Sequence, residues 1–432
     1  MNKKAAFYTL GCKVNQYETQ ALHNLFRASN YDIVDFSHEA EVYVINTCTV
    51  THLSDRKSRQ MIRRAVKINP RGIVVVTGCY AQLAFEDIKR IPGVDYIVGT
   101  RNRQQIVGLT EKGKRDGEPV VLVEELGDAP FEELPLGEIH RTRAFIKVED
   151  GCEHFCSYCL VPYARGPVRS RKMENIMAEA ERMASFGTKE IVLTGVNLGA
   201  YGNGLKEDIS LADVIKAIEG IRGIERIRLS SLELTDFTME LIETIADSKK
   251  ICAHLHIPLQ SGDNYVLNKM NRLYSATEYR KLVDYLRYLM PDLALTTDVM
   301  VGFPGEGDIN FNNTYEFVRE IAFSRLHVFK YSPRAGTPAS EFPQDVTPEN
   351  KEQRSHNLSQ LGQDLVREYS RQFIGQQVKV LFEEEKEEGV MEGLTQHYLR
   401  VRAKACPSLK GQLRSVKING LKKSFLSGHL QP

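Results

Sequence analysis

The chain reads as an α/β protein that ends in a small β-barrel, and three observations predict this. Short apolar, β-branched runs alternate with helical patterns from the start to about residue 342, as they do where a parallel sheet carries helices on its faces. Most of those runs end in Cys, Gly, Ser or Gln, residues suited to the carboxyl edge of a parallel sheet, where such folds gather their chemistry. Beyond residue 343 the alternation stops, and one long helical pattern is followed by short strands and turns.

In residues 1–126 the runs 5–9, 41–45 and 72–77 are separated by helical patterns over 14–29 and 54–67, so a parallel-sheet domain is expected. Each run leads into a cysteine: Leu10-Gly11-Cys12, Asn46-Thr47-Cys48 and Thr77-Gly78-Cys79. Cysteines at equivalent strand ends converge although they are far apart in sequence, and glycine before two of them lets backbone crowd a ligand. They read as a three-cysteine cluster site or as three ordinary buried thiols. The helix after Cys48 is basic, with Arg56, Lys57, Arg59, Arg63, Arg64 and Lys67, either a solvated face or a phosphate-contacting one. His52 beside it reads as structural or solvated. Residues 127–139 hold prolines and acidic groups without a period and read as a linker.

Residues 140–342 carry six further strand patterns, at 145–148, 190–194, 226–230, 253–257, 293–299 and 326–331, with helices between them over 173–185, 211–220, 236–248, 276–289 and 311–321. Six such units predict a barrel or partial barrel. After its first strand comes Gly151-Cys152-Glu153-His154-Phe155-Cys156-Ser157-Tyr158-Cys159, a CxxxCxxC loop. Thiolates are the protein ligands of iron-sulfur clusters, and three in place of four leave one iron open to a substrate. The competing readings are a structural zinc site, which normally needs a second CxxC-like unit, and unrelated buried thiols. The other strands lead into Thr194-Gly195, Ser230-Ser231, Gln260-Ser261-Gly262 and Gly302. Arg141, Arg143, Lys147, Arg165, Arg169, Arg171 and Lys172 crowd positive charge around the cysteine loop, to balance an anionic cluster or to hold a carboxylate or phosphate. His254 and His256 share one strand face and read as barrel-wall packing, and Cys252 as a buried thiol.

The tail opens with Thr347-Pro348 and a connecting helix assigned to 343–370, followed over 371–432 by strand patterns at 378–382, 398–402, 411–418 and 422–426. The acidic run Glu383 to Glu388 contrasts with the stretch after Glu392, which has no acidic residue and eight Lys or Arg. A basic β-barrel with exposed Tyr398 and Phe425 would suit RNA, although a solubilising appendage is the plainer alternative. Cys406 has no assigned role.

Net charge is +1, so any nucleic-acid footprint must be local. No apolar run of membrane-spanning length and no charged-then-apolar leader is present, so no membrane association and a cytoplasmic location are expected. Eight cysteines are too few for a disulfide scaffold at this length, and a reducing compartment suits thiolate ligands.

The segments Cys156-Ser-Tyr-Cys159-Leu-Val-Pro162-Tyr163-Ala164-Arg165-Gly166, His256-Ile-Pro258-Leu-Gln260-Ser261-Gly262 and Asp298-Val-Met-Val-Gly302-Phe303-Pro304-Gly305 together resemble the methylthiotransferase branch of the radical S-adenosylmethionine (SAM) enzymes. The resemblance implies a six-unit partial barrel with a 4Fe-4S cluster on Cys152, Cys156 and Cys159. The open iron there takes the amino and carboxylate groups of SAM, and reduction yields a 5'-deoxyadenosyl radical. It implies that Gly195, Ser231, Gln260 and Gly302 position SAM, where turn chemistry alone would also explain them. It further implies an auxiliary 4Fe-4S cluster on Cys12, Cys48 and Cys79 that delivers sulfur to carbon 2 of an adenine, with methyl from a second SAM. The tail resembles a TRAM domain, an RNA-binding appendage.

Gly11-Cys12-Lys13-Val14-Asn15-Gln16-Tyr17-Glu18 resembles the opening motif of that family, most closely in the branch acting on N6-threonylcarbamoyladenosine at position 37 of tRNA. The isopentenyl-adenosine branch and the branch modifying an aspartate of a ribosomal protein are the alternatives. The implied partners are tRNA and a reductant such as a flavodoxin or ferredoxin system, with the chain a monomer. An iron-sulfur electron-transfer protein would not need open irons, and an RNA-binding module with zinc sites would be iron-free.

Overall fold

The computed structural model of the chain describes residues 2–127, 129–135 and 142–431. It has two compact units: residues 1–139 with 149–171 and 334–340, and residues 140–148 with 172–333 and 341–432. Arg141 and part of the expected linker lie outside the described residues.

The first unit is built on six parallel strands, β1 (Lys3–Thr9), β2 (Tyr31–Val34), β3 (Val42–Thr47), β4 (Ile73–Gly78), β5 (Tyr96–Val98) and β6 (Val120–Leu122), in the order β2-β1-β3-β4-β5-β6. Three of these were anticipated. The other three are four, three and three residues long, too short to show a period of their own. Helices α1 (Lys13–Ala28), α2 (His52–Ile68), α3 (Cys79–Leu83), α4 (Phe85–Lys89) and α5 (Ile106–Glu111) complete the layers. Alternate residues of β3 and β4 feed opposite cores. Tyr43, Ile45, Val74 and Val76 pack with Met61, Ile62 and Ala65 of α2, whereas Val42, Val44 and Val75 pack with Leu22 and Phe26 of α1. The register pairs Thr9 with Asn46 and Thr47 with Gly78, so β1, β3 and β4 end level.

The chain then runs through β7 (Arg143–Lys147), part of the second unit, and returns for residues 149–171. There β8 (Glu149–Asp150) pairs antiparallel with β9 (Arg169–Ser170), and α6 (Val161–Arg165) packs on α3.

In the second unit β7 is joined by β10 (Glu190–Thr194), β11 (Arg226–Leu229), β12 (His254–His256), β13 (Ala294–Val301) and β14 (Arg325–Lys330). Two three-stranded parallel sheets, β11-β10-β7 and β12-β13-β14, are linked by the parallel bridges Ile227↔Ile251 and Ser231↔His256. Six parallel strands thus stand in chain order, the expected partial barrel. Their crossovers contain α7 (Met173–Ser185), α8 (Leu211–Glu219), α9 (Met239–Asp247), α10 (Asn264–Lys269), α11 (Ala276–Leu289) and α12 (Asp308–Ile321). Capping is local and visible in sequence: Ser210 and Ser275 each close a capping box, with Asp213 and Glu278.

Helix α13 (Pro348–Arg371) leads to a closed barrel of β15 (Gln377–Glu387), β16 (Val390–Thr395), β17 (Arg400–Lys404), β18 (Leu413–Leu421) and β19 (Leu426–Leu430). The barrel matches expectation, but three details do not. The acidic run lies mostly within β15, and β16 had not been anticipated. Tyr398 and Phe425 are half-buried rather than exposed. The Tyr398 ring stacks on His254 at 4.9 Å, with the Arg228 guanidinium 4.9 Å from its centre, and the Arg402 guanidinium lies 4.1 Å from that of Phe425. Tyr398 therefore spends its surface on the partial barrel. Among the described residues no helix is long and apolar enough to cross a membrane.

Candidate metal centres

Cys12 precedes α1, Cys48 follows β3 and Cys79 opens α3, so the level strand ends bring all three to one edge of the first sheet. Gly11 is required there. Its φ is +102°, and a Cβ on it would lie 2.8 Å from Cys48 Cβ and 3.1 Å from Cys48 Sγ. Gly78, at φ +95°, would press a Cβ to 2.4 Å from Asn46 Oδ1. Asn15 ties the strand ends together: its Nδ2 donates to Leu10 O at 2.7 Å and to Thr47 O at 3.0 Å.

The thiols feel one another. Burial pushes the Cys48 thiol up to about 12, and the neighbouring Cys79 and Cys12 add to the shift. Burial also pushes Cys79 up, against the pull of Arg165. Three soft donors at one sheet edge suit a group that deprotonates its ligands on binding, as a metal or iron-sulfur cluster does.

The second triplet lies in the same unit. Its loop is closed at the base by Cys152 N–H donating to Gly166 O at 3.1 Å and pinned by Ala339 N–H to Ser157 O at 2.8 Å. Cys159 N–H donates to Cys156 O at 2.9 Å, and Cys159 Sγ accepts from Val161 N–H at 3.4 Å. Phe155 takes a left-handed φ of +45° between the first two cysteines. Cys156 is buried, while Cys152 and Cys159 are half-buried. The CxxxCxxC order of these thiols along one closed loop suits a cluster, and an N–H aimed at sulfur is the outer support that tunes one.

The basic residues around this loop are largely committed to internal pairs. Arg165 is buried against Glu18, Asn15, Asp150 and Cys79, and Arg169 pairs with Asp150 at 3.5 Å. Arg171 bonds Glu133 at 2.8 Å, and in the second unit Arg143 bonds Glu383 at 2.7 Å. On α2, by contrast, Arg56, Lys57, Arg63, Arg64 and Lys67 are exposed, whereas Arg59 bonds the Tyr80 hydroxyl at 2.8 Å.

In the second unit the SAM-positioning candidates sit at carboxyl ends of strands. Gly195 follows β10, Ser231 bridges to His256 beyond β11, Gln260 follows β12 and Gly302 follows β13. Thr194 Oγ1, Ser230 Oγ and Gln260 Oε1 are buried and have no hydrogen-bond partner among the described residues. Buried polar atoms cost about 1–3 kcal/mol when left unpaired, so three at successive strand ends fit a polar ligand. Thr194 and Ser230 were noted in sequence as polar strand ends but not among the residues expected to position SAM. Each stands one place before a residue that was, and strand-end polarity was the available signal.

His254 and His256 share one side, as expected, and both reach the Thr296 hydroxyl, at 3.2 and 2.9 Å. His256 also pairs with Asp298 at 3.4 Å, and His327 pairs with it at 3.1 Å, a contact the sequence did not suggest. Burial opposes ionisation of Asp298, but the two histidines outweigh it and hold the carboxyl well below its ordinary range. Cys252 is buried, and its thiol is pushed up to about 12 by burial.

Two family models match the chain: uncharacterized protein family UPF0004 over residues 4–99 and the radical SAM superfamily over 146–318. The threonylcarbamoyladenosine tRNA methylthiotransferase MtaB of Bacillus subtilis is 43% identical over 420 residues, 96% of this chain and 93% of the relative. The tRNA-2-methylthio-N(6)-dimethylallyladenosine synthase of Pelotomaculum thermopropionicum is 36% identical over 437 residues, 99% and 98% of the two chains. Among solved structures, the radical SAM methyltransferase TsrM of Kitasatospora setae, with cobalamin and a [4Fe-4S] cluster bound, superposes with a TM-score of 0.59 at 14% identity. That match covers 79% of this chain and 77% of TsrM, a likeness of fold.

Proposed function

Because this chain belongs to the radical SAM tRNA methylthiotransferases, we propose that it methylthiolates carbon 2 of N6-threonylcarbamoyladenosine at position 37 of tRNA. The substrate rests on the difference between 43% identity to the relative named for threonylcarbamoyladenosine and 36% to the one named for dimethylallyladenosine. The opening motif from Gly11 to Glu18 supports the same choice.

The observation that supports the reaction is that both cysteine triplets, Cys12, Cys48 and Cys79 with Cys152, Cys156 and Cys159, fall within one compact unit. In this reading Cys152, Cys156 and Cys159 hold one 4Fe-4S cluster and Cys12, Cys48 and Cys79 a second. When bound, the clusters and SAM supply the 5'-deoxyadenosyl radical, the sulfur and the methyl group. Three ligands in each site leave a coordination position to a reactant. Val161 N–H steadies Cys159, and the bonds of Asn15 hold the loops that carry Cys12 and Cys48. Thr194, Ser230, Gln260 and the neighbouring Gly195, Ser231 and Gly302 orient SAM.

The domain assignment follows this division of labour: 1–126 for the auxiliary cluster, 140–342 for radical chemistry and 371–432 as a TRAM-like RNA-binding domain, joined by 127–139 and 343–370. The exposed basic face of α2 and the basic end of the tail meet tRNA phosphates. The enzyme works in the cytoplasm as a monomer, with electrons from a flavodoxin or ferredoxin system.

The test is mass spectrometry of nucleosides from total tRNA of a strain lacking the chain. Loss of 2-methylthio-N6-threonylcarbamoyladenosine, accumulation of its unthiolated precursor and reversal on complementation are expected. An unchanged level, with loss of the methylthio isopentenyl-adenosine instead, would move the substrate to the other branch.

A further inference from the structure

Arg165 lies six residues beyond Cys159, yet its side chain belongs to the other cysteine site. Its Nε donates to Cys79 Sγ at 3.2 Å. One terminal nitrogen donates to Asn15 Oδ1 at 2.7 Å, and the fork closes on both carboxylate oxygens of Glu18. Asn15 in turn donates to the carbonyls of Leu10 and Thr47, which stand just before the Gly11-Cys12 step and before Cys48. One guanidinium thus touches the third thiol directly and braces the other two loops through a single intermediary. It is 1% exposed, and Glu18, itself fully buried, is shared with Arg103 at 3.0 Å. Lysine could not replace this arrangement, because only the planar fork serves sulfur, amide and carboxylate at once.

We infer that Arg165 is the positioning residue of the N-terminal three-cysteine site, tuning the reduction potential of the cluster held there through its N–H···S bond and its positive charge. The inference rests on the reading of Cys12, Cys48 and Cys79 as cluster ligands. Hydrogen bonds to sulfur and nearby positive charge favour the more negative, reduced state and so raise the potential. Glu18 acts in the opposite sense as the counter-charge. Because α6 grows out of the CxxxCxxC loop and packs on α3, which starts at Cys79, the same arginine makes the geometry of one cysteine site depend on the segment that carries the other.

The experiment uses full-length reconstituted protein in which Cys152, Cys156 and Cys159 are replaced by Ala, so that only the N-terminal site binds iron. Iron per chain and the EPR-monitored midpoint potential are measured for this parent and for Arg165→Lys, Arg165→Gln and Glu18→Gln made in it. Arg165→Gln is expected to weaken the preference for the reduced state at least tenfold, a negative shift of about 59 mV for a one-electron couple. Arg165→Lys should shift it less in the same direction, and Glu18→Gln should shift it upward. That opposed pair of signs would not arise from general loosening, and Arg165→Lys keeps the charge should Arg165→Gln fail to fold. Iron-loaded variants with the parent's potential, or all shifting one way, overturn the role of Arg165 alone. A parent that takes up no iron overturns the cluster reading and this inference with it.

Discussion

The ring of Tyr398 is stacked on that of His254, with centroids 4.9 Å apart and planes inclined by 29°. Tyr398 belongs to the turn between β16 and β17, where its φ is +64°, and His254 opens β12. Arg228 and Arg143 present guanidinium groups 4.9 and 5.6 Å from the same tyrosine ring, and Arg228 also donates to Thr395 O and Gln396 O. The C-terminal barrel is thereby bonded to the amino-terminal ends of the partial-barrel strands.

Tyr398→Ala should therefore destabilise the second unit by about 2 kcal/mol, the sum expected for one aromatic and two cation–π contacts. A urea titration followed by fluorescence or circular dichroism reads this directly. Affinity for tRNA should stay within about twofold. Weaker tRNA binding at unchanged stability would instead restore the ring to a base-stacking role, which is worth about 1–3 kcal/mol per base.

Replacing Cys12, Cys48 or Cys79 by Ala should leave SAM cleavage intact and abolish methylthio product. Chromatography with mass spectrometry of 5'-deoxyadenosine and of the tRNA nucleosides separates the two outputs. Normal product from any of the three purified, reconstituted variants would remove that triplet from sulfur delivery.

Gly11→Ala should mimic part of that loss without touching a ligand. The added Cβ meets Cys48 Cβ at 2.8 Å in a left-handed backbone, a strain of about 1–3 kcal/mol. Iron bound per chain should fall by about half while 5'-deoxyadenosine formation persists. Full iron content would mean that the Cys12 and Cys48 loops can part without losing the site.

Asp236 gives a pH signature. Burial, then the neighbouring Glu233 charge, raise its carboxyl from 3.8 to about 7. A raised carboxyl binds its proton more tightly when folded, so stability declines as pH climbs from about 4 to about 7, by a few kcal/mol at most. Asp236→Asn keeps an acceptor for the Glu233 N–H, made at 3.2 Å by Asp236 Oδ2, and removes the charge. Its melting temperature should exceed that of the parent at pH 8 and match it near pH 4. Equal melting temperatures at both pH values would show that Asp236 titrates normally.

Sequence alone determined the strand alternation, the six cysteines and the strand-end glycines, because each is written in a short window: a period of two or 3.6, a CxxxCxxC spacing, a glycine before a thiol. It also placed every strand of the partial barrel within a few residues. Short strands such as β5 escaped because three residues carry no period. The hub at Arg165 escaped for a different reason. Its carboxylate partner Glu18 is 147 residues away, and nothing local distinguishes an arginine that will balance an anionic cluster from one that will cross into another site. The same holds for Tyr398, which looked like an RNA-facing aromatic until tertiary packing set it against His254. Cysteine spacing and order are properties of neighbouring residues, whereas the partner of a buried charge or ring depends on which distant segments share an interior, and only the folded chain decides that.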